Sequence, residues 1–232
     1  MYRYFEKNIR FGTFEIKGQS AHHIKNVVRL KSGSKIILCD GEKNDYECVI
    51  TGIFADSIEV NIQTTYENKN ETDYKISLYQ SVPKQDKLEH IIQKAVELGV
   101  SEIYPVLTER SEPTFKGVNN KIERYNQIAE AAARQSGRGI IPIVHPLVKM
   151  LDVDVDESHL IAYECGGVSI RGVDKMREVS LWIGPEGGFS LHEIEWFSEF
   201  SGKIVSLGKR VLRTETAAVV ALAQMSVLWD GD

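Results

Sequence analysis

The alternation of strand-like runs with helical segments from residue 73 onward is the feature that most constrains how this chain can fold. Runs rich in β-branched and aromatic residues, such as 74–82 and 179–185, are followed by segments such as 87–99, whose apolar residues recur every three or four positions. Strands that alternate with helices imply a mostly parallel sheet with helices on both faces. We therefore predict an α/β fold for this part of the chain.

The first 65 residues follow a different pattern, in which strand-like runs are separated by turn signals. Three such runs occupy residues 34–40, 45–54 and 57–66. Residues 20–30 have the spacing of a helix, with Ser20 as the expected N-cap. These residues predict a small β-barrel, and residues 67–73, which contain no apolar side chain, predict a linker.

Composition excludes several classes of protein. With 42% hydrophobic and 26% charged residues, the chain has the composition of a globular rather than a disordered protein. No apolar run approaches the roughly 20 residues that cross a bilayer, and the first residues lack the apolar segment of a signal peptide. Cys39, Cys48 and Cys165 form no CxxC pair, so we expect neither a metal site nor a disulfide framework. These features predict a protein of the reducing cytoplasm with no membrane partner.

The net charge of −5 would argue against a nucleic-acid partner if the charge were evenly spread. It is not, because residues 1–30 have an excess of basic side chains and residues 151–200 a larger excess of acidic ones. Nucleic acids respond to local patches rather than to total charge. One interpretation of this distribution is therefore an RNA-binding face. The simpler interpretation is that both regions are ordinary solvated surfaces.

Two glycine-containing loops follow predicted strands near the C-terminus. The glycine loop, "GPEGGF" at 184–189, precedes a helix that Ser190 and Glu193 open with a capping box. The basic loop, "LGKRVLR" at 207–213, precedes the last helix. Ligands bind beyond the carboxyl ends of strands in α/β sheets, and glycine there lets a ligand approach the main chain closely. The two loops together predict one binding site, although a tight turn is the simpler interpretation of either loop alone.

The loops lack both common phosphate-binding motifs, GxGxxG and GxxxxGK followed by Ser or Thr. A cradle for nucleotide phosphates is therefore poorly supported. A pocket lined by backbone groups suits an uncharged or zwitterionic adenosine compound better.

These loops resemble those of the SPOUT class of RNA methyltransferases. "LWIGPEGGFSLHEIE" (181–195) and "VSLGKRVLRTETAAVVAL" (205–222) are similar to the paired motifs of the bacterial family that methylates N3 of a uridine in 16S ribosomal RNA. "SVPKQDKLEHIIQKAVELGVSEIYPVLTERS" (81–111) and "AAARQSGRGIIPIV" (131–144) resemble that family's central segments. "HHIKNVVRLKSGSKI" (22–36) resembles its PUA-like N-terminal segment.

The resemblance implies a domain organisation. Residues 1–68 would form a PUA-like RNA-binding β-barrel, and residues 73–232 a SPOUT methyltransferase domain with a parallel sheet and a deep C-terminal trefoil knot. One departure is Arg134, where many members of the family have an acidic residue.

The resemblance also implies that S-adenosylmethionine is the cofactor and that backbone groups of the two loops hold it. The residues that would bind the cofactor are Tyr163, Glu164, Gly184, Pro185, Glu186, Gly187, Gly188, Leu207, Gly208, Val211, Leu212 and Arg213.

Methyl transfer to a uridine N3 asks the protein to align donor and acceptor and to stabilise negative charge on the base. Arg213 and Arg138 are the candidate catalytic cations. Thr214 and Glu215 are candidates for contact with the base or the cofactor. An alternative for Thr214 is a helix N-cap, with Glu215 then favouring the first-turn dipole.

Basic and polar side chains outside the loops predict an RNA footprint on 16S ribosomal RNA or the small ribosomal subunit. The candidates are Arg3, Arg10, Lys25, Arg29, Lys31, Arg110, Ser111, Arg134, Gln135 and Ser136. For Arg110, Ser111 and the residues of 134–138, the alternative is solvation at the surface or pairing with nearby glutamates.

The last helix, "TAAVVALAQMSVLW" (216–229), is apolar nearly all round and must be buried. A sheet covers one side of a helix, so a partner subunit is expected on the other. The family resemblance points the same way, and we expect a homodimer with twofold symmetry.

Overall fold

The structure is a computed structural model that describes residues 1–84, 87–111 and 117–230. The chain divides into two compact units. The first unit contains Met1–Glu71 and Ala133–Ile141, and the second contains Thr72–Ala132 and Pro142–Asp232.

The first unit is a five-stranded sheet with the order β1-β3-β4-β5-β2. Its strands are β1 (Tyr2–Phe5), β2 (Thr13–Lys17), β3 (Lys35–Cys39), β4 (Asn44–Ile53) and β5 (Ser57–Glu67). β1 runs parallel to β3, and the other pairs are antiparallel. Alternate apolar side chains such as Ile36, Leu38, Ile58 and Val60 are buried in its core, as the strand-like runs predicted.

The helix expected over residues 20–30 differs in its start and its form. α1 (Gly18–His22) begins directly after β2, with Lys17 as its N-cap, so the prediction of Ser20 as N-cap is wrong. A π-helical turn, His23–Val28, continues α1 and ends at Arg29.

Buried polar contacts attach residues 133–141 to the first unit. The Asn68 side chain donates to Oδ2 of Asp45 over 2.9 Å and to the Gly137 carbonyl over 3.1 Å. Nη2 of Arg138 lies 2.6 Å from Oε2 of Glu71. The segment expected as a linker, 67–73, therefore starts at the last residue of β5, and its Asn68 and Glu71 side chains form hydrogen bonds inside the first unit.

The described residues of the second unit form eight strands, and every pairing among these strands is parallel, as predicted. The strands are β6 (Lys75–Ser81), β7 (Glu102–Leu107), β8 (Ile143–Val144), β9 (Val148–Lys149), β10 (His159–Ala162), β11 (Val168–Ser169), β12 (Glu178–Ile183) and β13 (Lys203–Ser206). The sheet order is β11-β13-β10-β12-β6-β7-β8, and β9 pairs with β7.

Helices connect these strands. They are α2 (Lys87–Glu97), α3 (Ile122–Ser136), whose last turn belongs to the first unit, α4 (Leu191–Glu199) and α5 (Thr214–Trp229). Ser190 and Glu193 form the predicted capping box at α4. The strand order makes β13, β10 and β12 neighbours, so the loops that leave their carboxyl ends start side by side. The predicted trefoil knot concerns how the chain threads, which strand order does not describe, and it stays a prediction.

Candidate functional site

A cavity of about 270 Å³ lies in the second unit, where β10, β12 and β13 end. The glycine loop, the basic loop and the residues after β10 form its walls. The lining residues are Ala162, Tyr163, Glu164, Ile183, Gly184, Pro185, Glu186, Gly188, Phe189, Ser206, Leu207, Gly208, Arg210, Val211, Leu212, Arg213, Thr214 and Ala217. The two loops thus meet at one site, as the sequence predicted.

The glycine loop is a tight turn held by its own backbone and by a distant arginine. The Gly188 N–H donates to the Pro185 carbonyl over 3.0 Å, and Gly188 has a φ of +68°. This backbone conformation favours glycine, and a Cβ at Gly188 would also lie 2.7 Å from Oε1 of the exposed Glu164 side chain, which would have to move. Arg110 donates from Nη1 to the carbonyls of Gly187 and Phe189, 2.9 and 3.3 Å away.

Hydrogen bonds hold the first two residues of the basic loop. The Gly208 N–H donates to Oγ of Ser206 over 3.3 Å, and Nε2 of Gln224 on α5 donates to the Leu207 carbonyl over 3.3 Å. Gly208 has a φ of +134°, a conformation that favours glycine. Arg213 is the N-cap of α5 and makes no side-chain capping bond. The alternative that Thr214 is the N-cap is therefore wrong, because Thr214 is already the first helical residue.

A hydrogen bond joins the two loops through Thr214. Its Oγ1 donates to the Gly184 carbonyl over 2.7 Å. The same Oγ1 accepts a hydrogen bond from Nε2 of Gln80, near the end of β6, over 2.9 Å. The start of α5 is thereby attached to the first residue of the glycine loop.

An ion-pair cluster joins the same elements at a second place. Nζ of Lys87, on the first turn of α2, lies 2.9 Å from Oε1 of Glu186 and 3.3 Å from Oε2 of Glu215. Hydrogen bonding to Glu186 raises the pKa of Lys87. Burial by itself would raise the pKa of Glu186, but hydrogen bonds from Lys87 and from backbone N–H groups, including that of Lys84, outweigh it and lower that pKa. Glu215 and Glu186 are therefore both partners of one lysine.

The third wall of the cavity is the segment after β10. The Tyr163 N–H donates to the Val205 carbonyl of β13 over 3.0 Å, which continues the sheet pairing beyond the strand end. Burial and the neighbouring Cys165 raise the pKa of Tyr163, so its phenol is protonated at neutral pH.

Comparison with known proteins identifies the family. A family model described as "RNA methyltransferase domain" matches residues 70–226, and one described as "RNA methyltransferase PUA domain" matches residues 16–63. The chain belongs to this RNA methyltransferase family. Within it, the chain is 35% identical over 230 residues to the ribosomal RNA small subunit methyltransferase E of Bacillus subtilis, covering 92% of this chain and 90% of that protein. A protein of the same name from Mesomycoplasma hyopneumoniae is 30% identical over 229 residues, 97% of this chain and 98% of the relative.

Two solved structures at 30% identity match almost the whole length of this chain. The ribosomal RNA small subunit methyltransferase E from Neisseria gonorrhoeae, bound to S-adenosyl methionine, superposes with a TM-score of 0.91 at 30% identity and covers 99% of this chain and 98% of its own. A putative methyltransferase from Legionella pneumophila, in complex with S-adenosylmethionine, gives a TM-score of 0.87 at 30% identity and covers 97% and 96% of the two chains. The family resemblance and the SPOUT-type α/β fold predicted from the loops are thus confirmed.

Most residues predicted to bind the cofactor of this methyltransferase line the cavity. Gly187 does not, although it belongs to the glycine loop, and its carbonyl faces Arg110 instead. Six lining residues were not among the sequence candidates: Ala162, Ile183, Phe189, Ser206, Arg210 and Ala217. Only their position in the sequence could have predicted them, because they lie next to or between the residues that carried the resemblance.

Two predicted arginines are buried in the first unit of the methyltransferase and need correction. Arg138 is 5% exposed and its guanidinium is neutralised by Glu71. Arg3 is 9% exposed and forms a bidentate ion pair with Asp45. Because both guanidinium groups are buried and paired with a carboxylate, we expect both side chains to have structural roles within this unit rather than contact with RNA.

The other candidates for RNA contact fall into two groups. Four of them have protein partners. Arg110 holds the glycine loop, and Ser111 accepts a hydrogen bond from the Thr108 N–H over 3.1 Å. Lys25 donates to the carbonyls of two residues in the β4–β5 turn, and the guanidinium carbon of Arg134 lies 5.9 Å from the centre of the Tyr4 ring. The Ser136 hydroxyl donates to the Ala133 carbonyl of its own helix over 3.4 Å. Exposed side chains remain at Arg10, Arg29, Lys31 and Gln135.

Within the described part of the chain, no group of three or more His, Cys, Asp or Glu side chains is placed to hold a metal ion. Among those same residues, no helix is both long and apolar enough to span a bilayer. The expectations of no metal and no membrane partner stay predictions.

Proposed function

We propose that this protein is an S-adenosylmethionine-dependent methyltransferase that modifies N3 of a uridine in 16S ribosomal RNA, in the cytoplasm. The observation that carries the proposal is the convergence of the two loops on one cavity, in a chain that belongs to the RNA methyltransferase family. The relatives named for the small ribosomal subunit, and two similar structures that contain this cofactor, support it.

The residues that line the cavity suit the cofactor by their chemistry. Gly184 and Gly188 line the cavity without side chains, which leaves their backbone groups open to a ligand. Apolar side chains of Leu207, Val211 and Leu212 offer contact to an adenosine, and Glu164 and Glu186 offer negative charge to a sulfonium and an ammonium group. When bound, S-adenosylmethionine supplies a methyl group on a sulfonium sulfur, and its transfer leaves a neutral thioether.

Arg213 is the proposed catalytic cation. Its side chain is exposed at the cavity, and no acceptor within the described residues occupies its guanidinium. A guanidinium at this place stabilises the negative charge that uridine acquires when N3 gives up its proton. The neighbouring cation Arg210 also lines the cavity, and Lys209 is exposed beside it, so the basic loop supplies positive charge for a phosphate backbone.

Thr214 and Glu215 act on the position of these groups. Thr214 holds the Gly184 carbonyl, and Glu215 shares Lys87 with Glu186. Both contacts hold the first two residues of α5 in place, and therefore the direction of the side chain of Arg213, the N-cap residue before them.

We further propose that the exposed basic residues of the first unit, Arg10, Arg29 and Lys31, contact RNA phosphates. Residues 1–68, within the first unit, would be the PUA-like RNA-binding domain. Residues 73–232 would be the knotted methyltransferase domain, except for residues 133–141, which belong to the first unit.

A homodimer is part of the proposal. One face of α5 is buried in the second unit, but Val227 is 81% exposed and Leu228 45% exposed. Val211, in the basic loop before α5, is 80% exposed. A partner subunit would cover these side chains, and sedimentation of the purified protein at micromolar concentration should show a dimer.

The function is tested by two measurements. Titration calorimetry should show S-adenosylmethionine binding to the purified protein, and loss of binding would leave only a noncatalytic RNA-binding role. Mass spectrometry of ribosomal RNA from a strain that lacks the gene should reveal one missing 3-methyluridine in 16S RNA. A missing methyl group in 23S ribosomal RNA or in a tRNA would instead assign the same chemistry to another RNA.

A further inference from the structure

Gln80, at the carboxyl end of β6, lies outside the cavity but contacts a residue that lines it. Its side chain is fully buried. Nε2 donates to Oγ1 of Thr214 over 2.9 Å and to the Ser81 carbonyl over 3.0 Å. Oε1 of Gln80 is enclosed and has no hydrogen-bond partner among the described residues.

The chemistry of the three groups gives this chain of hydrogen bonds one direction. The Gly184 carbonyl accepts only, so the single proton of the Thr214 hydroxyl must point toward it. The hydroxyl oxygen is then an acceptor for its other neighbour. Only the NH₂ end of the Gln80 amide can donate to it, and the second proton of that NH₂ group is taken by the Ser81 carbonyl.

The two hydrogen bonds from Gln80 to Thr214 and from Thr214 to Gly184, here called the relay, join three elements around the cavity. Gly184 opens the glycine loop, Thr214 starts α5, and Gln80 is in register with Ile183, the last residue of β12. The N–H donor at residue 80 thus bonds to the hydroxyl group that in turn donates to the Gly184 carbonyl.

We infer that Gln80 is a positioning residue for cofactor binding, acting through Thr214 on the Gly184 carbonyl. The inference rests on the proposed function, since it assumes that S-adenosylmethionine occupies the cavity. Stability by itself does not explain the residue: the buried Oε1 without a partner is a cost to folding that an apolar side chain of similar size would avoid.

The experiment compares S-adenosylmethionine affinity and thermal unfolding in four full-length proteins: wild type, Gln80→Met, Gln80→Glu and Gln127→Met. Methionine keeps the length of glutamine and removes the donor. Gln127 is exposed on α3 and provides the matched control. We expect Gln80→Met to unfold within about 3 °C of wild type and to bind S-adenosylmethionine about tenfold more weakly, with the control unchanged.

The pH dependence of S-adenosylmethionine affinity in Gln80→Glu tests the positioning role, because a purely structural role would not change it. An ionised carboxylate only accepts, so the Thr214 hydroxyl would turn toward it and leave the Gly184 carbonyl. A protonated carboxyl group donates again and restores the relay, and burial favours that form. We expect the affinity of this variant to rise severalfold as the pH falls from 8 to 6. Lys87, Glu186 and Glu215, the titratable groups on the neighbouring elements, are the same in wild type, whose pH profile is the reference.

The outcomes separate the two proposals. Absence of S-adenosylmethionine binding by wild type overturns the proposed function. Wild-type binding together with equally tight binding by Gln80→Met, or with a Gln80→Glu profile that matches wild type, overturns the role of Gln80. If Gln80→Met does not fold, the Gln80→Glu profile decides; if neither variant folds, Gln80 serves core stability and the inference is wrong.

Discussion

Nη1 of Arg110 lies 2.9 Å from the carbonyl oxygen of Gly187, although the two residues are 77 positions apart in the chain. The arginine follows β7, and the glycine is in the loop after β12. A second bond runs from the Glu109 N–H to Oε1 of Glu193, 2.7 Å away. The segment after β7 therefore holds the glycine loop from outside the cavity.

We expect Arg110→Met to weaken S-adenosylmethionine binding about tenfold, which is about 1.4 kcal/mol, because the Gly187 and Phe189 carbonyls lose their donor. Titration calorimetry measures the effect. Arg124→Met is the matched control, since Arg124 pairs with Glu89 at the surface of the same unit. If Arg110 serves RNA alone, its replacement will leave cofactor affinity at the wild-type value and weaken only RNA binding.

Gly188→Ala should be more damaging than its small size suggests. The left-handed backbone conformation costs roughly 1–2 kcal/mol for a residue with a Cβ, and the added carbon would lie 2.7 Å from a Glu164 oxygen. We expect reduced thermal stability and at least tenfold weaker cofactor binding. Gly172→Ala is the control because a Cβ there meets nothing within 4 Å. Equal behaviour of the two variants would contradict the requirement for glycine at position 188.

Lys87→Met should produce a pH-dependent loss of stability. The pKa of Glu186 is lowered in the folded protein, so the stability that it contributes is present above its ordinary pKa of 4.5 and is lost as the pH falls through the lowered value. The pKa of Lys87 is raised, so its contribution is present below its ordinary value of 10.5 and is lost as the pH rises through the raised one. The difference in Tm between wild type and variant should therefore be largest near neutral pH and shrink in acid.

Thermal unfolding at pH 7 and pH 3.5 checks this prediction. Lys75→Met is the reference, because Lys75 pairs with Glu178 where both side chains are mostly exposed, and such pairs contribute little. A constant difference in Tm between wild type and Lys87→Met at both pH values would show that the ion pairs do not stabilise the fold.

Arg138→Met should act on stability rather than on chemistry. Removing one partner of a buried ion pair leaves the other charge uncompensated, at a cost of about 3–5 kcal/mol, and both side chains here are 6% exposed. The double variant Glu71→Gln, Arg138→Met should recover part of the loss. Normal thermal stability with abolished methylation would restore the catalytic role expected from the sequence.

The composition of local segments was enough to predict several features of this protein. β-Branched runs, helical spacing and capping residues depend on neighbours within a few positions, so the parallel strands, the capping box at Ser190 and the two loops could be predicted. Where the loops had to meet also followed, because parallel strands present their carboxyl ends at one edge. The start of α1 was missed, because the helix follows β2 without a loop and Ser20 lies inside it.

The pairing of polar side chains was decided by the tertiary structure. Arg138 and Arg3 look like free cations in the sequence, but their carboxylate partners are 67 and 42 positions away. Gln80 and Lys87 were not among the predicted site residues, yet one contacts Thr214 across 134 positions and the other contacts Glu186 across 99. The sequence by itself determined the strands, the helices and the backbone loops of the site, because those depend on local conformation. Which charges stay available to a ligand, and which are used to hold the loops, was determined only when the folded chain brought distant residues within hydrogen-bond distance.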